Sequence, residues 1–132
     1  MRNRREYPRI PKEANVNVKI QSAPDFPVLE GKSLSCMTED VSFNGLRLCV
    51  DTFIPINAFL EMAIVFEDIE GDIYRHTGTV VWVNEKPVSN IEETGLFNVG
   101  ILLKNPSNPQ FNAWKTKISK MLEDEYQEPN VG

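Results

Sequence analysis

From Asn15 the chain alternates, with Val16, Val18 and Ile20 apolar and Asn17, Lys19 and Gln21 polar. A period of two sends every second side chain to one face, so this segment predicts a strand with one side buried. Ala23 to Gly31, with Pro24, Pro27 and Gly31, reads as a connection. Leu34–Val41 and Gly45–Val50 predict two further strands, joined at Ser42-Phe43-Asn44 by a hairpin turn in which Asn44-Gly45 supplies positive φ. Pro55 breaks the pattern between Asp51 and Asn57. Three more strands follow, Ala58–Phe66, Tyr74–Val83 and Leu96–Leu103, separated by an acidic turn around Gly71 and a polar loop from Asn84 to Gly95. Gly100 interrupts the last of them and marks a bend or a close approach. Six strands of similar length, connected mostly as neighbours, predict an all-β six-stranded antiparallel barrel.

The period then lengthens. After Asn105-Pro106-Ser107-Asn108-Pro109, Asn108 is placed to cap a helix and Pro109 to occupy its first position. Phe111, Trp114, Ile118, Met121 and Leu122 recur at helical spacing and form one apolar stripe, with Lys115, Lys117 and Lys120 off it. The stripe predicts a helix packed on the barrel, fraying into an acidic tail from Glu123. Ahead of the barrel, Pro8 and Pro11 forbid a continuous helix, and the first residues read as a flexible arm. The chain thus divides into an arm (1–14), a barrel (15–104), a C-terminal helix (105–126) and a tail (127–132).

A length of 132 residues with 41% hydrophobic and 25% charged positions suits one globular domain with a single core. No apolar run reaches the length of a membrane span, and the basic, Pro-bearing start has no apolar stretch behind it, so a cytoplasmic protein without membrane insertion is expected. Cys36 and Cys49 lack metal-ligand spacing and His76 is the single histidine, which predicts buried thiols and no metal site. Glu67, Asp68, Glu70 and Asp72 lack the order of a calcium loop and read as a solvated turn. No Gly-x-Ser-x-Gly elbow, His-Glu helix pair, Walker loop or Cys with an evident base occurs, so no enzymatic activity and no cofactor are expected.

Charge is where the sequence becomes specific. The net charge is −5, yet Arg2, Arg4, Arg5, Arg9 and Lys12 crowd the first twelve positions. An acidic protein with a local cationic cluster suits a small anion better than DNA or another polymer, which calls for a broad positive surface. Arginine grips planar anions through two parallel hydrogen bonds, and Arg5-x-x-x-Arg9 reads as such a clamp. Asp40-x-Ser42-x-x-Gly45 adds an acceptor, a donor and close backbone approach at the hairpin. A ligand shared by both carries phosphate and polar ring edges.

Arg5-x-x-x-Arg9 ahead of a first strand, followed by Asp40-x-Ser42-x-x-Gly45 at a hairpin, resembles the paired signature of the PilZ family, bacterial receptors for cyclic di-GMP. Gly78-Thr79-Val80-Val81-Trp82-Val83 and Asn98-Val99-Gly100-Ile101-Leu102-Leu103 resemble that family's late strands, so the resemblance covers nearly the whole chain. It implies that Arg5 and Arg9 contact phosphate oxygens and the Hoogsteen edge of guanine, and that Asp40 accepts from the Watson–Crick edge. Ser42 would bond nearby polar groups, and Gly45 would keep the turn tight against the base. Arg4, just before the motif, implies an intercalated dimer of cyclic di-GMP rather than one molecule. Asn44 and Trp82 are further candidates, although a large aromatic in a strand is more often core, by about two to one. The resemblance also implies an output to an unidentified protein partner through ordering of the arm. Two other readings stand beside it: a PilZ-like protein-interaction adaptor acting without nucleotide, and a small single-stranded RNA-binding barrel with Trp82 as a stacking surface.

Overall fold

The alternating segments close into a ring. The computed structural model describes residues 9–66, 72–85, 96–104 and 109–126. Its strands are β1 (Ile10–Pro11), β2 (Asn15–Ser22), β3 (Ser33–Val41), β4 (Gly45–Val50), β5 (Phe59–Val65), β6 (Ile73–Glu85) and β7 (Phe97–Leu103), followed by the helix α1 (Pro109–Tyr126). β3, β2, β5, β6, β7 and β4 pair antiparallel in that order, and β4 returns to β3, which closes a six-stranded barrel and leaves it no free edge. A single 3-10 turn, Pro27–Leu29, sits in the connection between β2 and β3.

The inward positions are those the alternation marks. Val16, Val18 and Ile20 of β2, Leu46, Leu48 and Val50 of β4, and Leu60, Met62 and Ile64 of β5 are all buried together with Val80, Val99 and Ile101. Each removes enough apolar surface from water to contribute roughly 1.5–3 kcal/mol.

Three details differ from the sequence reading. Ile10 to Ala14, assigned to the flexible arm, are fixed to the barrel: β1 pairs with the end of β3, and the apolar Ile10 and Ala14 are buried in the core. β6 continues to Glu85, two residues beyond the expected end, since β7 pairs with it as far as Phe97. Positive φ occurs at Asp25, Gly31 and Asn57 and not at Asn44 or Gly45. Cys36 and Cys49 are half-buried and not joined in a disulfide, and burial first, then the neighbouring Cys49 and Asp51, pushes Cys36 up to about 12, leaving it an inert thiol. The expected cap Asn108 and the turn at 67–71 lie outside the described residues.

α1 begins at Pro109 and seats Phe111, Trp114, Ile118 and Met121 against the barrel. Trp114 is fully buried among Phe66, Tyr74 and His76, with ring centroids 5.9, 5.7 and 4.9 Å away. Lys117, expected off the stripe, is covered as well, its Nζ 5.2 Å from the centroid of the Phe66 ring, where a cation is attracted to the π face.

His76 has a consequence for stability. It stands edge-on to Phe111 and Trp114, its Nε2 has no hydrogen-bond partner among the described residues, and burial lowers its pKa from 6.5 to about 4. The unfolded chain therefore binds a proton that the folded chain refuses. The contribution of His76 to stability is full above pH 6.5, falls as the pH drops toward 4, and is lost below, on the order of 2–3 kcal/mol. Thermal melts between pH 7 and 4 are expected to show this decline, and His76→Leu is expected to flatten it; an equal decline in that variant contradicts the assignment.

Candidate functional site

Arg9 and Asp40, one from each sequence motif, meet. β1 adds to β3 with Pro11 opposite Asp40, and this register brings Arg9 Nη1 to donate to Asp40 Oδ1 at 3.2 Å. Thr38, buried just before the motif, fixes the root of the arm. Its hydroxyl donates to the Lys12 carbonyl at 2.6 Å and accepts from the Ala14 N–H at 2.9 Å, while its own N–H donates to the Ala14 carbonyl at 2.9 Å. Nothing in the sequence marks Thr38, because its partners lie two dozen positions away.

Two irregularities in the sheet then build one face. Between Thr38 and Asp40 the β3–β4 register shifts by a residue, and between Val80 and Trp82 the β6–β7 register does the same. An extra residue reverses the alternation, so side chains that a strict period of two sends inward turn outward instead. Thr38 lies opposite buried Leu48 but Asp40 opposite Arg47; Val80 lies opposite buried Ile101 but Trp82 opposite Gly100. Arg47 and Gly100 are themselves partners, so Asp40, Arg47, Gly100 and Trp82 form one row across β3, β4, β7 and β6.

Trp82 is therefore half-buried on the outer face rather than part of the core, which corrects the commoner expectation for a strand tryptophan. Its indole lies directly over Gly100: a Cβ at that glycine would collide with Nε1 and Cε2. The close approach expected at Gly100 is this contact.

Arg47 is the residue that sequence reasoning missed. Its Nη2 lies 3.0 Å from Asp40 Oδ2, and its Nε lies 3.4 Å from Glu39 Oε1, too poorly aligned for a hydrogen bond. Asp40, nearly buried, thus has a guanidinium on each oxygen. The signal was its position opposite Asp40, which only the bulge reveals.

The turn of the motif is held from inside. The Ser42 N–H donates to the Gly45 carbonyl at 2.9 Å, and the buried Ser42 hydroxyl lies 3.2 Å from that carbonyl and 3.3 Å from Asn44 Oδ1. Asn44 also ties the turn to β7, its carbonyl accepting from the Leu103 N–H at 2.8 Å. Gly45 is required by packing: a Cβ there would stand 2.7 Å from the Ile101 carbonyl oxygen of β7. From α1, the Trp114 Nε1–H is shared between the carbonyls of Ser42, 3.0 Å away, and Phe43, 3.1 Å away. The helix thereby fixes the turn that carries the motif.

Arg4 and Arg5 lie outside the described residues, so the structure brings together Arg9, Asp40, Ser42, Asn44 and Gly45, with Trp82 on the same face. A separate hollow of about 660 Å³ on the outer face of β2, β3, β5 and β6 includes Asn17, Lys19, Glu61 and Arg75 but none of these residues. Lys19 and Glu61 stand opposite one another in the sheet there, an arrangement that offsets charge rather than gathers it. Among the described residues no helix is long and apolar enough to cross a membrane, and no cluster of metal-ligating side chains occurs.

Comparison with known proteins bears on the family and the fold. The family model of the PilZ domain matches residues 3–118. Among solved structures, the chain is similar to the PilZ domain with c-di-GMP of YcgR from Escherichia coli, at 12% identity and TM-score 0.66, over 96% of this chain and 100% of that one. It is also similar to the Bacillus subtilis inhibitor of motility MotI/DgrA, at 12% identity and TM-score 0.70, over 95% of this chain and 54% of that one. The K. pneumonia MrkH–c-di-GMP complex matches at 16% identity and TM-score 0.65, over 96% of this chain and 56% of that one. The chain spans about half the length of the latter two. At these identities the likeness is one of fold. No curated protein sequence matches the chain.

Proposed function

The chain belongs to the PilZ domain family, and from that premise we propose that it is a receptor for cyclic di-GMP. The observation that carries the proposal is the Asp40 carboxylate set between Arg9 and Arg47 at one end of a row whose other end is the Trp82 indole. A guanine offers O6 and N7 as adjacent acceptors that fit a guanidinium fork, and N1–H and N2–H as donors that fit a carboxylate. In this reading Arg4, Arg5 and Arg9 take the phosphates and the Hoogsteen edges, and Asp40 takes the Watson–Crick edge. Trp82 offers a face for stacking. Ser42, Asn44 and Gly45 hold the turn in shape, because their polar groups are engaged within it.

Two solved neighbours, the YcgR PilZ domain and MrkH, hold c-di-GMP, which supports the same ligand here. Arg4 ahead of the clamp favours two molecules per chain, bound as an intercalated dimer. Binding orders the N-terminal arm against the barrel and reshapes the surface beside β1, and that change is what a cytoplasmic protein partner reads. The chain acts as a receptor and not as an enzyme.

Titration with cyclic di-GMP and with a short single-stranded RNA, each at 50 and 200 mM salt, separates this reading from a polymer binder. A discrete pocket is expected to bind the cyclic dinucleotide with a shallow salt dependence and the RNA weakly. Tight RNA binding that falls steeply with salt contradicts it, since displacement of many condensed counterions marks a polymer site.

A further inference from the structure

Asp40 has no carboxylate oxygen without an arginine: Oδ1 lies 3.2 Å from Arg9 and Oδ2 3.0 Å from Arg47. If Asp40 reads the Watson–Crick edge of guanine, as the receptor reading on which this inference rests requires, one arginine must yield. The two are not equivalent. Arg9 precedes a strand of two residues and meets a single carboxylate among the described residues. Arg47 stands within a six-residue strand paired on both sides, and its guanidinium spans two carboxylates, those of Asp40 and Glu39. Arg9 is the group that can be exchanged, and Arg47 the group that stays.

We infer that Arg47 is the positioning residue for base recognition: it holds Asp40 by Oδ2 while guanine replaces Arg9 at Oδ1, and preference for guanine over adenine depends on it. Each carboxylate oxygen has two lone pairs, so Oδ2 can keep Arg47 and still accept one guanine N–H, while Oδ1 accepts the other. Adenine presents an acceptor, N1, where guanine presents a donor, and a carboxylate fixed in this orientation repels it. A carboxylate free to rotate discriminates less. Glu39 acts one step further back through its ion pair with Arg47 Nε at 3.4 Å, and a lysine is a poorer replacement for Arg47, because a single ammonium does not span two carboxylates in the same way.

The test compares the full chain with Arg47→Ala, Arg47→Lys, Asp40→Ala and the Asp40→Ala/Arg47→Ala double variant, using cyclic di-GMP and cyclic di-AMP, with weak binding followed by NMR titration. Arg47→Ala is expected to weaken cyclic di-GMP about tenfold or more and leave cyclic di-AMP nearly unchanged, so that the ratio narrows. Arg47→Lys, which retains charge and bulk should alanine disturb the fold, is expected to narrow it by a smaller factor. The double variant is expected to bind no more weakly than Asp40→Ala alone, because Arg47 acts through Asp40. Normal binding by the unsubstituted chain with an unaltered ratio in both Arg47 variants overturns this inference alone, as does a double variant with additive loss. No binding of cyclic di-GMP by the unsubstituted chain overturns the receptor reading and this inference together.

Discussion

Arg9→Ala is expected to abolish cyclic di-GMP binding detectable by calorimetry while moving the melting midpoint of the protein by only a few degrees. The two effects separate because Arg9 has two roles of unequal weight. In the folded chain it makes one partly exposed ion pair with Asp40, worth at most about 1 kcal/mol, and Asp40 keeps Arg47 when it goes. In the proposed receptor it supplies the ligand with a fork of charge-assisted hydrogen bonds, each worth roughly 1.5–3 kcal/mol, so losing two is expected to weaken a micromolar complex by about two to four orders of magnitude. Arg9→Lys keeps the charge but not the fork and is expected to fall between. Arg5→Ala is expected to match Arg9→Ala in binding. Wild-type affinity in Arg9→Ala removes the clamp from the account.

The second large effect is on the helix. Trp114→Ala is expected to lower the melting midpoint by about 10–20 °C, the consequence of losing roughly 3–5 kcal/mol when a fully buried aromatic is truncated. Trp114→Phe is the more informative variant. It keeps most of the contact with Phe66, Tyr74 and His76 but removes the N–H shared by the Ser42 and Phe43 carbonyls, and is expected to cost about 1–3 kcal/mol. Because those carbonyls belong to the motif turn, Trp114→Phe is also expected to weaken cyclic di-GMP binding although position 114 faces the core. Calorimetric melting with parallel titration checks both; full affinity in a destabilised Trp114→Phe protein contradicts the coupling between helix and turn.

The barrel was legible in the sequence because its signal is local. Val16, Val18 and Ile20 declare their face within a single strand, and Phe111, Trp114, Ile118 and Met121 declare theirs within a single helix. The motif turn was equally local. What escaped was set by pairing between distant segments. The bulge before Asp40 and the bulge before Trp82 each invert the alternation, and neither carries a glycine or a turn signal to announce it. Without the first, Arg47 cannot be matched to Asp40; without the second, Trp82 reads as core. The bond from Trp114 to Ser42 joins residues 72 positions apart, and a buried tryptophan stripe gives no hint that its N–H has a particular destination. Ile10 was misassigned for a related reason: two residues are too few to show a period, and only the end of β3 beyond its pairing with β2 gives them a place.

One outer face, built by two bulges and rooted by β1, is expected to take a guanine-bearing cyclic dinucleotide. Amide-resolved NMR of the isotope-labelled chain, titrated with cyclic di-GMP, reads ligand and location together. Saturable shifts are expected to concentrate at Arg9, Asp40 to Gly45, Arg47 and the Trp82 indole N–H, with protection of amides in the N-terminal arm at saturation. Shifts confined to the hollow around Asn17, Lys19, Glu61 and Arg75, or none at saturating nucleotide, would contradict it.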